Sequence, residues 1–136
     1  MKQYMLDTDT ASYIIRGNHP EVSTAFAKCF PNVCISSITY AELNYGAVKS
    51  KSLPILKKVH AFCELVECIN WDAKAAADYA KLREELEANG NPIGSMDMLI
   101  AASALAVGAI LVTNNTAHFS RIKQLKLENW CKSDNQ

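Results

Sequence analysis

Asp7, Glu42 and Asp97 are carboxylates set among apolar neighbours, each close to the end of one element and the start of the next. Such acids act together only if the fold collects them. Once collected, they suit a hard divalent cation, Mg²⁺ or Mn²⁺ rather than zinc, because the donors are oxygens and no His or Cys cluster accompanies them. Bound Mg²⁺ lowers the pKa of its waters and neutralises phosphate oxygens, which is the equipment for hydrolysing a phosphodiester. Repulsion among the acids would be relieved by the metal, so the metal is expected to stabilise the site.

Each acid also has a structural explanation. Asp7 follows the apolar Met5-Leu6 and divides evenly between a crevice residue and the N-cap of the next helix, whereas Asp9 reads as a cap. Glu42 completes a Thr39-x-x-Glu42 capping box, the favoured reading of spacing alone, although a helix start at Ser37 would put Glu42 in the second turn. Asp97 complements a helix dipole in the first turn, by a few tenths to ~1 kcal/mol. That leaves unexplained the flanking Met96 and Met98 and the apolar run through Ala102, which bury the helix and oblige a carboxylate at its start to find a partner or a cation.

The elements that would position these acids alternate. Strands are expected at Gln3 to Leu6, Val33 to Ile35, Val66 to Ile69, Ile110 to Val112 and Leu125 to Trp130. Between them lie helical patterns at Tyr13 and Ile14, from Glu21 to Phe30 with Pro20 in its first turn, from Ile38 to Val48, and from Leu53 to Glu64. The surest helix runs from the cap Asp72 to Asn89, with Gly90 as its stop; Ser95 is expected to cap the next, and a short piece lies near Phe119. Alternating strands and helices imply an α/β fold, a parallel sheet with helices on both faces, whose functional crevice lies beyond the carboxyl ends of the strands.

The 136 residues suit a single domain, 1–136, with 49% apolar and 21% charged residues, ordinary globular values that exclude wholesale disorder or coiled coil. The apolar stretch Met98 to Ile110 is broken by Ser103 and Gly108 and is shorter than the ~20 residues of a membrane span. Fourteen Lys and Arg balance fourteen Asp and Glu, and neither half is a basic arm or an acidic tail. Zero net charge weakens the case for tight non-specific nucleic-acid binding but leaves room for a local groove. It also leaves little self-repulsion, a mild sign of a protein that sits against a partner. The five cysteines lack C-x-x-C spacing and read as buried free thiols of a cytoplasmic protein, and the N-terminus is too short in apolar residues for a signal peptide.

Four blocks then carry a resemblance: Met5-Leu6-Asp7-Thr8, Ser36-Ser37-Ile38-Thr39-Tyr40-Ala41-Glu42-Leu43-x-x-Gly46, Pro92-Ile93-Gly94-x-x-Asp97-x-x-Ile100-Ala101-Ala102, and Leu111-Val112-Thr113-Asn114-Asn115-x-x-x-Phe119. In order and over essentially the whole chain, they resemble PIN-domain ribonucleases, more narrowly the VapC toxins of bacterial toxin–antitoxin pairs. The resemblance implies a three-layer α/β/α sandwich with a central, mainly parallel sheet and a Mg²⁺-dependent endoribonuclease that inhibits translation, Mn²⁺ being a substitute. Asp7 and Asp97 match the metal-binding acids and Glu42 the third acid. Relatives often carry a fourth acid where this chain has Asn114 and Asn115, and often Asn where it has Asp9, here read as a cap or an outer group.

Thr8, Ser37, Thr113 and Asn115 are candidates for orienting water or phosphate. Lys49, Lys51, Lys57 and Lys58, with Arg121, Lys123 and Lys126, form two basic groups suited to phosphate contacts. His19, His60 and His118 show no metal-ligand spacing and read as surface or core residues. By resemblance the substrate is RNA, with tRNA favoured, and the partners are a second copy of the chain and a small antitoxin that lays a helix into an apolar groove. Two alternatives stand beside this: a catalytically weak RNA- or partner-binding module, and a haloacid-dehalogenase-like phosphatase using Asp7 as nucleophile in Asp7-x-Asp9.

Overall fold

The computed structural model describes residues 2–131; Met1 and residues 132–136, the ends of the expected domain, lie outside the described residues. The strands are β1 (Tyr4–Leu6), β2 (Val33–Ser36), β3 (Glu67–Ile69), β4 (Ile110–Val112) and β5 (Leu127–Glu128). They form one sheet in the order β3-β2-β1-β4-β5, and every pairing is parallel. The expected mainly parallel sheet is thus wholly parallel among the described residues. Helices α1 (Thr8–Arg16), α2 (Pro20–Cys29), α3 (Ser37–Ser50), α4 (Leu53–Leu65), α5 (Ala73–Ala88), α6 (Ser95–Val107) and α7 (Thr116–Phe119) supply the crossovers that parallel strands require.

The three layers follow from alternation along the strands. Met5, Cys34 and Leu111 face one side, where they pack with Leu82 and Leu86 of α5, Ile100 and Ala104 of α6, and Phe119. Their neighbours Leu6, Ile35 and Val112 face the other, against Ala11 of α1, Val22 of α2, Leu43 of α3 and Phe62 of α4. Strands buried on both faces read as continuous apolar runs, which is why Met5-Leu6 and Ile110 to Val112 were legible despite their shortness.

Several boundaries differ from expectation. The last strand shrinks from Leu125 to Trp130 to two residues, because Leu125 and Trp130 turn into opposite core clusters rather than continue the ladder. Ser95 does not cap α6: Gly94 occupies the cap position, no side chain caps the helix, and Ser95 is already helical. Asp72 does cap α5, accepting from the Ala75 amide at 3.0 Å. All five cysteines are free thiols, but only Cys34 is buried and the other four are half-buried, since they lie at the margins of the core. Burial pushes the Cys34 thiol up to about 12, which makes it unreactive.

A candidate active site at the carboxyl edge of the sheet

The sheet order reverses between β1 and β4, the adjacent central strands whose following segments leave in different directions. Open α/β sheets place their ligand crevice at such a reversal. Asp7 directly follows β1 and Thr113 directly follows β4. The Asp7 amide donates to the Val112 carbonyl at 3.0 Å, joining the two strand ends.

Asp7, rather than Asp9, caps α1: its Oδ1 accepts from the Thr10 amide at 2.9 Å. The cap reading of Asp7 holds, and the same residue, ending a central strand where a helix begins, stands at the carboxyl edge of the sheet. It is only 7% exposed. Burial pushes its carboxyl above the ordinary value, hydrogen bonds from Thr113 and Thr10 pull it back, and the nearby charge of Asp9 adds to the rise. Asp9 is exposed in the first turn of α1.

Glu42 departs from the capping box. The cap of α3 is Ser36, whose Oγ accepts from the Thr39 amide at 3.2 Å, so the helix begins three residues too early for Glu42 to reach its start. Instead the Thr8 hydroxyl donates to Glu42 Oε1 at 2.5 Å, and lies 3.2 Å from the buried Thr39 hydroxyl. The first turn of α1 is thereby tied to the second turn of α3.

Asp97 stands in the first turn of α6, half-buried, with its Oδ2 3.2 Å from His118 Nε2 of α7. Burial pushes this carboxyl up as well; the imidazole opposes the rise and the charge of Asp9 adds to it. His118 is thus neither a plain surface nor a plain core histidine. Its pairing joins residues of two elements, so no local spacing could have announced it.

The acids gather along one edge, but each holds a donor of its own. Among the described residues, no group of three or more His, Cys, Asp or Glu side chains stands arranged to hold a metal ion. Carboxylates taken out of water need hydrogen-bond donors, and Thr10, Thr8 and His118 supply them separately. The donor set nonetheless fits a hard cation: it is oxygen-rich, and both Asp7 and Asp97 are raised by burial and by the charge of Asp9. A divalent ion, if bound, would offset those two penalties.

The remaining candidates separate. Thr8 contacts Glu42 and Thr113 contacts Asp7; Thr113 is fully buried and its Oγ1 also accepts from the Asn115 amide at 3.0 Å. Ser37 Oγ accepts from the Trp71 amide at 3.0 Å, which commits it to bracing. Asn115 is exposed at the start of α7. A cleft of about 390 Å³ between α1, α3 and α4 carries Thr8, Asp9 and Glu42 at its lining together with Arg16 and Lys58. Asp7 and Asp97 do not line it. Lys49, Lys51 and Lys57 are exposed nearby in the chain but not in the cleft lining, and Lys49 lies over the Tyr45 ring at 5.9 Å. Arg121 donates to the Pro92 carbonyl at 3.0 Å, and with Lys123 lines a separate depression against α5; Lys126 is exposed. Sequence reading passed over Arg16, which lines this cleft together with Glu42, because it stands alone rather than in a basic run.

The PIN domain family model matches residues 4–125. The tRNA(fMet)-specific endonuclease VapC of Salmonella typhimurium is 37% identical over 132 residues, 96% of this chain and all of that protein. Ribonuclease VapC2 of Rickettsia felis is 43% identical over 133 residues, 95% of this chain and 98% of that one. Among solved structures, the Rickettsia felis VapBC2 complex bound to a DNA fragment from its promoter superposes with a TM-score of 0.87 at 42% identity, covering 93% of this chain and 98% of that one. The DNA-bound VapBC of Salmonella typhimurium gives a TM-score of 0.88 at 37% identity, covering 96% of this chain and all of that one. The phosphatase alternative falls with these matches: the carboxylates at the ends of β1, in α3 and in α6 stand on the scaffold of a nuclease family. The chain belongs to the PIN-domain family, among its VapC ribonucleases.

Proposed function

We propose that this protein is the toxin of a toxin–antitoxin pair, a Mg²⁺-dependent endoribonuclease whose favoured substrate is tRNA and which stops translation by cutting it. The observation that carries the reading is the buried carboxylate of Asp7 at the junction of β1, β4 and α1, with Asp97 and Glu42 on helices that begin at the same edge. A strand-end acid so desolvated costs stability, and a cation site is the use that repays it. The 37% sequence identity to an endonuclease named for tRNA(fMet) supports the substrate class. The VapBC complexes among the solved relatives support a small antitoxin as partner. Action on RNA in the cytoplasm is part of the proposal; no helix among the described residues is long and apolar enough to cross a membrane.

Asp7, Asp97 and Glu42 would hold Mg²⁺, with Mn²⁺ as a substitute. When bound, the ion supplies an activated nucleophile and charge neutralisation at the phosphoryl oxygens. The chain's own part is orientation and binding. Thr8 keeps Glu42 in place, Thr113 and the Thr10 amide hold Asp7, and Arg16 and Lys58 offer positive charge to the RNA backbone beside the acids. A second copy of the chain is part of the proposed assembly.

The test uses the protein purified free of any partner, incubated with total RNA and with tRNA. We expect cleavage with Mg²⁺ or Mn²⁺, abolition by chelator, and loss of at least ~100-fold in Asp7→Asn and Asp97→Asn. Expression of the chain alone should arrest growth, and the same chain carrying Asp7→Asn should not. The structural feature favouring a second reading is Asn114 and Asn115 in the block after β4, which leaves that block without an acid. RNA binding without metal-dependent cleavage would establish the binding module instead.

A further inference from the structure

We infer that His118 is a positioning residue for Asp97, fixing one oxygen of that carboxylate so that the other is presented to the metal; the inference rests on the nuclease reading above. Asp97 is the least supported of the site's acids. Its helix has no side-chain cap, and Gly94 before it offers no side chain at all: a Cβ built there would lie 3.9 Å from Asp97 Oδ2. Asp7 receives an amide from its own helix, and Glu42 a hydroxyl from α1. Among the described residues, His118 Nε2 at 3.2 Å is the one hydrogen-bond or ion-pair partner of the Asp97 carboxylate.

The imidazole is itself held. Phe119, 1% exposed, plugs α7 into the core, and the His118 ring stands edge-on to it with centroids 5.7 Å apart and planes at 85°. The amides of His118 and Phe119 both reach the Asn115 carbonyl at 3.2 Å, fixing the turn that presents the ring. The four-residue helix is thus anchored to the core through Phe119. A half-buried carboxylate with no donor on either oxygen rotates about its last bond, whereas an N–H on Oδ2 fixes its plane and leaves Oδ1 with both lone pairs. Metal sites commonly fix their ligands through such outer partners, whose loss costs about 10–100-fold in metal affinity or activity. In this chain the block after β4 contributes no acid, Asn114 accepts from Asn129 at 3.3 Å, and Asn115 is exposed. His118 is how that block reaches the site.

The experiment compares the full chain, freed of any partner, with His118→Ala and His118→Gln. The Gln amide can replace the Nε2–H donor without an imidazole. Mn²⁺ affinity is read by electron paramagnetic resonance, RNA cleavage by kcat and KM, and the Asp97 side-chain carboxyl carbon by NMR in metal-free buffer. We expect His118→Ala to weaken Mn²⁺ binding and lower kcat, each about 10–100-fold, with KM for RNA and the melting temperature little changed. His118→Gln should recover most of both losses, and the Asp97 carbon shift should move in the Ala variant and return in the Gln variant. Unchanged Mn²⁺ affinity and kcat in His118→Ala would overturn the inference, as would a folded Gln variant as impaired as Ala. A wild-type chain that neither binds Mn²⁺ nor cuts RNA would end the nuclease reading instead; the Asp97 carbon shift then decides the positioning, and a shift unmoved by His118→Ala overturns it.

Discussion

The indole Nε1–H of Trp71 donates to the carbonyl of Leu99 at 2.9 Å, two positions beyond Asp97 in α6. Its own amide donates to Ser37 Oγ at 3.0 Å, at the first residue of the helix that carries Glu42. One half-buried residue in the loop after β3 therefore ties together the two helices that bring acids to the sheet edge. Tyr79 of α5 steadies the indole, with ring centroids 6.0 Å apart and planes at 71°.

Trp71→Phe deletes the indole donor and keeps the amide bond to Ser37. Loss of one such hydrogen bond costs about 1 kcal/mol, seen as a melting temperature lower by roughly 3 °C. Cleavage should suffer more than stability, with kcat down roughly 10-fold, because small displacements of reacting groups are costly. Cleavage equal to wild type would show that packing alone sets the place of α6.

Thr8→Val keeps the branched shape and removes the hydroxyl that reaches Glu42. A hydrogen bond to a charged group is worth about 1.5–3 kcal/mol, so a drop in kcat of roughly 10-fold or more is expected. Thr8→Ser should retain most of the activity. Equal loss in both variants would place the effect in side-chain packing rather than in the hydroxyl.

Asp7 carries a pH signature. Its folded-state pKa lies above the unfolded value of 3.8, so the native chain holds the proton where the unfolded chain has released it. Stability from this group is full below pH 3.8 and declines as pH rises through the folded value. Asp97 has the same sign. Asp7→Asn retains an efficient cap for α1 without the charge. In chelator-containing buffer it should melt above wild type at neutral pH, with the gain shrinking towards zero as pH falls below 3.8. A variant that melts at or below wild type throughout would contradict this.

Gly108 ends α6 at φ 68°, and a Cβ there would meet nothing within 4 Å. The cost of Gly108→Ala is therefore that of a left-handed backbone alone, about 1–2 kcal/mol, or roughly 3–6 °C in melting temperature. Gly108→Asn should lose less, since Asn tolerates that conformation better. Cleavage per folded molecule should be unchanged in both, because Gly108 is at the far end of the helix from Asp97.

Elements with a strong local signal were legible in the residues. Asp72 caps α5 as its position before Ala75 suggested, and the apolar runs at β1 and β4 marked central strands. Reading failed where two local explanations competed. Ser36, Ser37 and Thr39 all offer hydroxyls near the start of α3, and only the observed bond from the Thr39 amide to Ser36 separates them. Asp9 likewise reads locally as the cap and Asp7 only evenly so, and the end of β1 decides that Asp7 begins the helix.

By itself, the sequence determined which chemistry was available: oxygen donors at strand ends, no thiol or imidazole cage, and an α/β order of elements. Periodicity and capping act over a few residues, and that range is written in the chain. Tertiary structure alone decided that Thr8 serves Glu42, that His118 serves Asp97, and that Trp71 joins α3 to α6. Those pairings cross between elements whose meeting is set by burial on both faces of the sheet. No spacing along the chain encodes them.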